Sequence, residues 1–234
     1  MATRPVGDSY GGYRAKLVEE LRGKGIDDLA VLRAFGETPR HLFVPEALVR
    51  QAYEDTSLPI GNGQTISQPS TQASYLQALA LTGREQVLEI GTGSGYQAAL
   101  LARVVDRVVT VERVPQLAQA AKRALDAAGL TGVLVVTGDG TLGWRPGAPY
   151  DAILVAAVGP GIPAPLVEQL ADGGRLVIPV ERNGKQVLLR VTRQGEEVVE
   201  NLMGSANFVP LIGRHGYDGA DAGPARSGGE AASR

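Results

Sequence analysis

The stretch Val87-Leu88-Glu89-Ile90-Gly91-Thr92-Gly93-Ser94-Gly95-Tyr96 constrains this chain more than any other. Four residues of strand character enter three glycines at alternate positions and leave through a helix-forming segment, residues 97–102. Glycine tolerates positive φ and lets backbone approach a ligand with no Cβ in the way. The helix that follows aims unpaired N–H groups at whatever lies on the turn. A strand, a glycine turn and a helix in this order make a cradle for a nucleotide-type cofactor.

The rest of the chain supports an α/β reading. Apolar runs at residues 87–90, 107–111, 133–137, 152–156 and 175–178 alternate with helical segments at 97–102, 115–128 and 165–170. Such runs predict a mostly parallel sheet with helices on both faces. Residues 186–192 and 197–201 read as a hairpin, so the sheet is expected to end antiparallel. Upstream, residues 13–22 carry Leu17, Val18 and Leu21 at helical spacing, and Asp27 or Asp28 can cap a second helix holding Leu29, Leu32 and Phe35. A third helix is expected from Pro69 to Leu81, with proline at its first position and Gln68 as cap. Ser67 has two readings at this point: a hydroxyl free for chemistry, or a simple cap of that helix. Residues 208–212 form a last apolar run. The division is then 1–80 as a helical extension carrying a polar loop, 81–213 as the core, and 214–234 as a disordered tail with little to bury.

Composition removes whole classes of chemistry. The 234 residues include no cysteine, which excludes thiolate nucleophiles and cysteine metal sites, and two histidines, which make a histidine-rich metal centre unexpected. Net charge is −2, so neither nucleic acid nor an anionic membrane gains long-range attraction. With no signal-peptide pattern and no long apolar run, the sequence reads as a soluble, cytoplasmic monomer that binds neither nucleic acid nor membrane.

Glu112 lies 21 residues after Gly91, the spacing at which a carboxylate meets ribose hydroxyls. Nicotinamide dinucleotides and S-adenosylmethionine both carry such a ribose. The dinucleotide fingerprint wants a glycine where Tyr96 stands, and that departure favours S-adenosylmethionine. Asp139, in Thr137-Gly138-Asp139-Gly140, can accept from an adenine amino group, although an Asp-Gly turn alone is common. Glu89, among apolar neighbours, needs a polar partner, which a bound amino-acid moiety or nearby backbone amides can supply.

These residues resemble one family, the protein-L-isoaspartate O-methyltransferases, over about residues 39–213. The resemblance rests on Pro39-Arg40-His41-Leu42-Phe43-Val44-Pro45, Ala52-Tyr53-Glu54-Asp55 and Leu58-Pro59-Ile60-Gly61-Asn62-Gly63-Gln64-Thr65-Ile66-Ser67-Gln68-Pro69. It continues through the glycine turn, Thr110-Val111-Glu112-Arg113, Gly138-Asp139-Gly140-Thr141, Ala148-Pro149-Tyr150-Asp151-Ala152-Ile153 and Gly173-Gly174-Arg175-Leu176-Val177-Ile178-Pro179. The resemblance implies a Rossmann-like fold and methyl transfer from S-adenosylmethionine to the α-carboxylate of an L-isoaspartyl residue. The ester then closes to a succinimide whose hydrolysis restores some normal aspartate. It implies Ser67 as the active-site residue, with Thr65, Gln72 and Ile212 beside it on the substrate side. It implies Gln64, Thr65, Ile66, Glu89, Gly91, Thr92, Gly93, Gly95, Glu112, Asp139 and Gly140 as the cofactor set.

Two segments depart from the family's pattern: Ser70-Thr71-Gln72, and Ala156-Ala157-Val158-Gly159-Pro160-Gly161. Both bear on substrate preference more than on the cofactor. Two other readings share the fold: a methyltransferase of another carboxylate or small molecule, and a non-catalytic module that recognises the cofactor or isoaspartyl peptides.

Overall fold

The computed structural model describes residues 9–219. The chain opens with α1 (Gly11–Gly23) and α2 (Leu29–Glu37). Asp28, not Asp27, caps α2, accepting from the amides of Ala30 at 2.8 Å and Val31 at 3.2 Å. Short 3-10 turns at Arg40–Phe43 and Glu46–Gln51 follow the prolines at 39 and 45. Then β1 (Leu58–Gly61) and β2 (Gln64–Ile66) pair antiparallel across Asn62-Gly63, whose φ values are 51° and 68°. That pair of positive φ angles is what a tight hairpin demands and what Asn-Gly supplies. Helix α3 (Pro69–Leu79) stops at Ala80, which takes a left-handed conformation two residues short of the expected end.

The core alternates β3 (Gln86–Ile90), α4 (Tyr96–Ala102), β4 (Arg107–Glu112), α5 (Pro115–Ala127), β5 (Leu134–Thr137), β6 (Tyr150–Val155), α6 (Ala164–Glu168) and β7 (Leu170–Arg182). It closes with β8 (Lys185–Gln194) and β9 (Glu197–Ser205). The seven strands run in the order β5-β4-β3-β6-β7-β8-β9, parallel through β7 and antiparallel after it. Gly173 and Gly174 lie within β7, which keeps pairing with β6 on both sides of an irregularity.

Alternate strand residues face opposite ways, so the sheet divides two cores. Val87, Val108, Ala152, Leu154 and Val177 pack under α1 to α4. Leu88, Ile90, Ile153, Val155 and Leu176 face Leu166 of α6 and Leu170. Helices thus cover both faces, unequally. None of the described helices is long and apolar enough to cross a membrane.

The expected structureless tail does not begin at residue 214. Arg214 donates its amide to Asp139 Oδ2 at 2.8 Å, His215 its amide to Thr141 Oγ1 at 3.1 Å, and Tyr217 its hydroxyl to Glu181 Oε2 at 2.7 Å. Composition offers few apolar side chains to hold this segment; two backbone amides and the Tyr217 hydroxyl hold it instead. Residues 220–234 of that expected tail lie outside the described residues.

Candidate active site

β3 sits between β4 and β6, where the strand order reverses direction. In open α/β sheets that is where a crevice forms beyond the carboxyl ends of the strands. Here it holds a cleft with about 890 Å³ of empty space, solvent at its mouth included. Its floor comes from Ile90, Gly91, Thr92, Gly93, Val111 and Glu112. One wall is Gln64, Thr65, Ile66 and Ser67 from β2 and the residue beyond it, with Thr71, Gln72 and Tyr75 of α3. The opposite wall is residues 208–212, the last apolar run, laid along the segment after β6 by paired backbone bonds between Val158 and residues 209 and 211.

The glycine turn is held by the acid of the next strand. Glu112 Oε2 accepts from the Gly93 amide at 2.9 Å and Oε1 from the Val114 amide at 2.9 Å. A carboxylate has about four acceptor sites, so lone pairs remain for a ligand's hydroxyls. Gly140, opposite, must be glycine: a Cβ there would stand 2.5 Å from Ile90 Cγ2.

Three expected cofactor residues stand outside the cleft lining. Glu89 is fully buried behind the cradle and does not line the cleft. Its Oε2 accepts from Thr110 Oγ1 at 2.6 Å, and Thr110 in turn meets Thr92 Oγ1 at 2.6 Å, so Glu89 reaches the cleft only through two hydroxyls. Burial, helped by the charge of Glu112 and opposed by the Thr110 bond, pushes its carboxyl up to about 8. Gly95 faces α5, where a Cβ would come within 3.1 Å of Ala121 Cβ; the glycine serves helix packing. Asp139 spends Oδ1 on the Thr141 amide (2.9 Å) and hydroxyl (2.7 Å), and Oδ2 on the Arg214 amide. By the same count of about four acceptor sites, these three bonds leave Asp139 room for one more donor, beside Gly140 at the cleft. The remaining expected residues, Gln64, Thr65, Ile66, Ser67, Gln72, Gly91, Thr92, Gly93, Glu112, Gly140 and Ile212, all border the cleft.

Ser67 does not cap α3. That helix has no side-chain cap on Gln68, and the carboxylate of Asp55 takes the Ser70 amide at 2.7 Å instead. The Ser67 hydroxyl is thereby left to the cleft.

Sequence reasoning missed several cleft residues. Tyr75 and Phe208 stack at 5.0 Å where α3 meets the last apolar run, which only the tertiary fold brings together. Gln97, on the first turn of α4, lines the cleft, and its Nε2 finds no acceptor among the described residues. A glutamine inside an otherwise apolar helix face was the available signal.

Sheet order, glycine turn and strand-end acid define an S-adenosylmethionine-dependent methyltransferase fold, and solved structures agree. A protein-L-isoaspartate O-methyltransferase superposes with a TM-score of 0.81 at 31% identity, covering 87% of this chain and 67% of that one. A Plasmodium falciparum structure, described as a putative protein-L-isoaspartate O-methyltransferase in complex with S-adenosyl-L-homocysteine, gives 0.75 at 25% identity over 85% of this chain and 98% of that one. Among sequence relatives, the protein-L-isoaspartate O-methyltransferase of Geobacter metallireducens is 52% identical over 207 residues, 87% of this chain and 95% of that protein. That of Dictyoglomus thermophilum is 48% identical over 208 residues, covering 89% and 94%. The family model for protein-L-isoaspartate(D-aspartate) O-methyltransferase matches residues 13–216. The chain belongs to the protein-L-isoaspartate(D-aspartate) O-methyltransferase family.

Proposed function

We propose that this enzyme methylates the α-carboxylate of L-isoaspartyl residues in damaged proteins with S-adenosylmethionine as donor, and that Ser67 orients the acceptor. The observation that carries the reading is that two stretches far apart in sequence share one cleft. The segment 64–67 forms one wall and the Gly93–Glu112 cradle forms the floor. The residues fit the cofactor. Glu112 offers remaining acceptor sites for ribose hydroxyls, Gly91 and Gly140 expose backbone without side chains, and Gln97 holds an amide that is unpaired among the described residues and can meet an acceptor group. When bound, S-adenosylmethionine supplies an electrophilic methyl group on a sulfonium.

The acceptor needs little activation. A carboxylate, whose ordinary pKa is near 4, is already anionic at neutral pH, so no general base is required. What the chain supplies is orientation and exclusion of water. Ser67 offers one hydroxyl donor at its wall; residues 208–212 supply apolar surface on the other, and the Tyr75–Phe208 stack joins the two. The absence of cysteine from the sequence is no obstacle to such chemistry.

The reading also takes 1–80 as a helical extension whose loop serves acceptor and cofactor, 81–213 as the methyltransferase core, and the whole as a cytoplasmic monomer that uses neither nucleic acid nor membrane. A net charge of −2 and the lack of a membrane-spanning helix among described residues support that part. The repair outcome is checked by incubating an isoaspartyl peptide with enzyme and S-adenosylmethionine and separating isomers by chromatography. Growth of the normal aspartyl peptide is expected. An isomer ratio that stays fixed over many turnovers' time contradicts the reading.

A further inference from the structure

Arg40 is fully buried, yet no carboxylate among the described residues lies within ion-pair distance of it. Its guanidinium stacks on the Tyr96 ring, 4.7 Å from the centroid, and Tyr96 opens α4 directly after the glycine turn. Nη2 donates to the Ser67 carbonyl at 2.8 Å, and Nη1 donates to Gln72 Oε1 at 2.7 Å. Nε has no acceptor. One side chain therefore touches the cofactor-side helix and both ends of the acceptor-side segment. Desolvation lowers its pKa to about 10, with the charge of Asp55 among the influences opposing that fall, so the cation persists at neutral pH. Burying a cation without a paired anion is costly, and apolar side chains would fill the same space more cheaply. Its fork geometry is what they cannot reproduce: two acceptors held at fixed angles while the flat face rests on a ring.

We infer that Arg40 is a positioning residue that sets the Ser67 segment in register with the glycine turn, and so aligns acceptor with donor. Gln72 belongs to the same device, its side-chain oxygen spent on Arg40. The inference rests on the methyl-transfer reading, because alignment matters most where an in-line displacement is the chemistry. Displacing reacting groups by about 1 Å costs on the order of 100-fold in rate.

The test compares wild type with Arg40→Lys and Gln72→Leu. Lysine keeps the charge and loses the fork; leucine removes one of the two hydrogen bonds and leaves Arg40 in place. Three readouts are taken: affinity for S-adenosyl-L-homocysteine by calorimetry, kcat and KM on an isoaspartyl peptide, and hydrogen exchange along the chain. The expected result is a kcat ~10- to 100-fold lower in Arg40→Lys and ~3- to 10-fold lower in Gln72→Leu. Product affinity and peptide KM should change less than about threefold, and exchange should quicken in residues 64–72 while β3 and β4 stay protected. A kcat within twofold of wild type in both variants, with unaltered exchange at 64–72, overturns the inference. So does uniform loosening of the whole sheet, which marks a structural role only. If wild type itself labels no isoaspartyl peptide, the methyl-transfer reading fails separately, and exchange at 64–72 still decides the anchor.

Discussion

The amide of Gly93 donates to Glu112 Oε2 at 2.9 Å, so the acid that ends β4 holds the glycine turn that follows β3. The same carboxylate borders the cleft and keeps lone pairs for a ligand. Glu112→Ala removes the brace and the ligand's acceptor together. Hydrogen bonds to a charged group are worth about 1.5–3 kcal/mol, so the dissociation constant for S-adenosyl-L-homocysteine should rise ~10- to 100-fold by calorimetry. An unchanged constant would remove Glu112 from the cofactor site.

Ser67 lines the cleft, and its carbonyl, not its hydroxyl, is tied to Arg40. Ser67→Ala should therefore lower kcat on an isoaspartyl peptide by ~10- to 100-fold, the range of one positioned donor, and leave cofactor affinity within about twofold. A variant that turns over as fast as wild type shows that the hydroxyl has no part in orienting the acceptor.

Asp139 clasps the end of the strap that forms the far wall of the cleft. Burial acts to raise its pKa, but the Arg214 amide and the two Thr141 donors outweigh it and lower the value. Stability from this clasp is thus complete above the ordinary aspartate range and lost as pH falls through the depressed value. Asp139→Ala should free the exposed Arg214, and trypsin cleavage there should quicken by on the order of tenfold at neutral pH. Cleavage at the wild-type rate would mean that the strap is held by its apolar residues alone.

Glu89 gives a pH signature of the opposite sign. Its folded value of about 8 exceeds the ordinary 4.5, so the folded protein keeps a proton that the unfolded chain releases between those values. Stability contributed by the neutral form therefore falls as pH rises across that window and levels off above 8. Glu89→Gln keeps the shape and cannot ionise. Its Tm, relative to wild type, should climb steadily from pH 5 to pH 8.5 by calorimetric scans; a difference that stays constant with pH would place the Glu89 proton elsewhere.

Much of this was legible from period and punctuation. The apolar runs became the parallel strands, β3 and β6 buried on two faces and β5 half-exposed at the sheet edge, and the glycine turn and Glu112 met because adjacent parallel strands end at one edge. Strand order was not legible, since no local pattern says that β3 lies between β4 and β6. The β1–β2 hairpin does not show in the pattern although Asn62-Gly63 signals it, because strands of four and three residues, one interrupted by Pro59, are too short to show alternation. Residue type and spacing point Asp139 and Gly95 toward the cofactor. Their contacts to the strap and to α5 are long-range, so neither was legible from spacing. Arg40 stood in plain view within an apolar motif, but its acceptors lie 27 and 32 residues away. A charge among apolar residues announces that it needs partners and does not say which.

Paired peptides decide whether the cleft methylates an isoaspartyl carboxylate. Two peptides of identical sequence, one with Asp and one with L-isoAsp, are incubated with enzyme and methyl-labelled S-adenosylmethionine, and base-labile methyl ester is counted. The account predicts label on the isoaspartyl peptide and at most about one hundredth as much on the aspartyl one, as expected where position decides the reaction. Equal labelling of both, or none on either while S-adenosyl-L-homocysteine still binds, would contradict it.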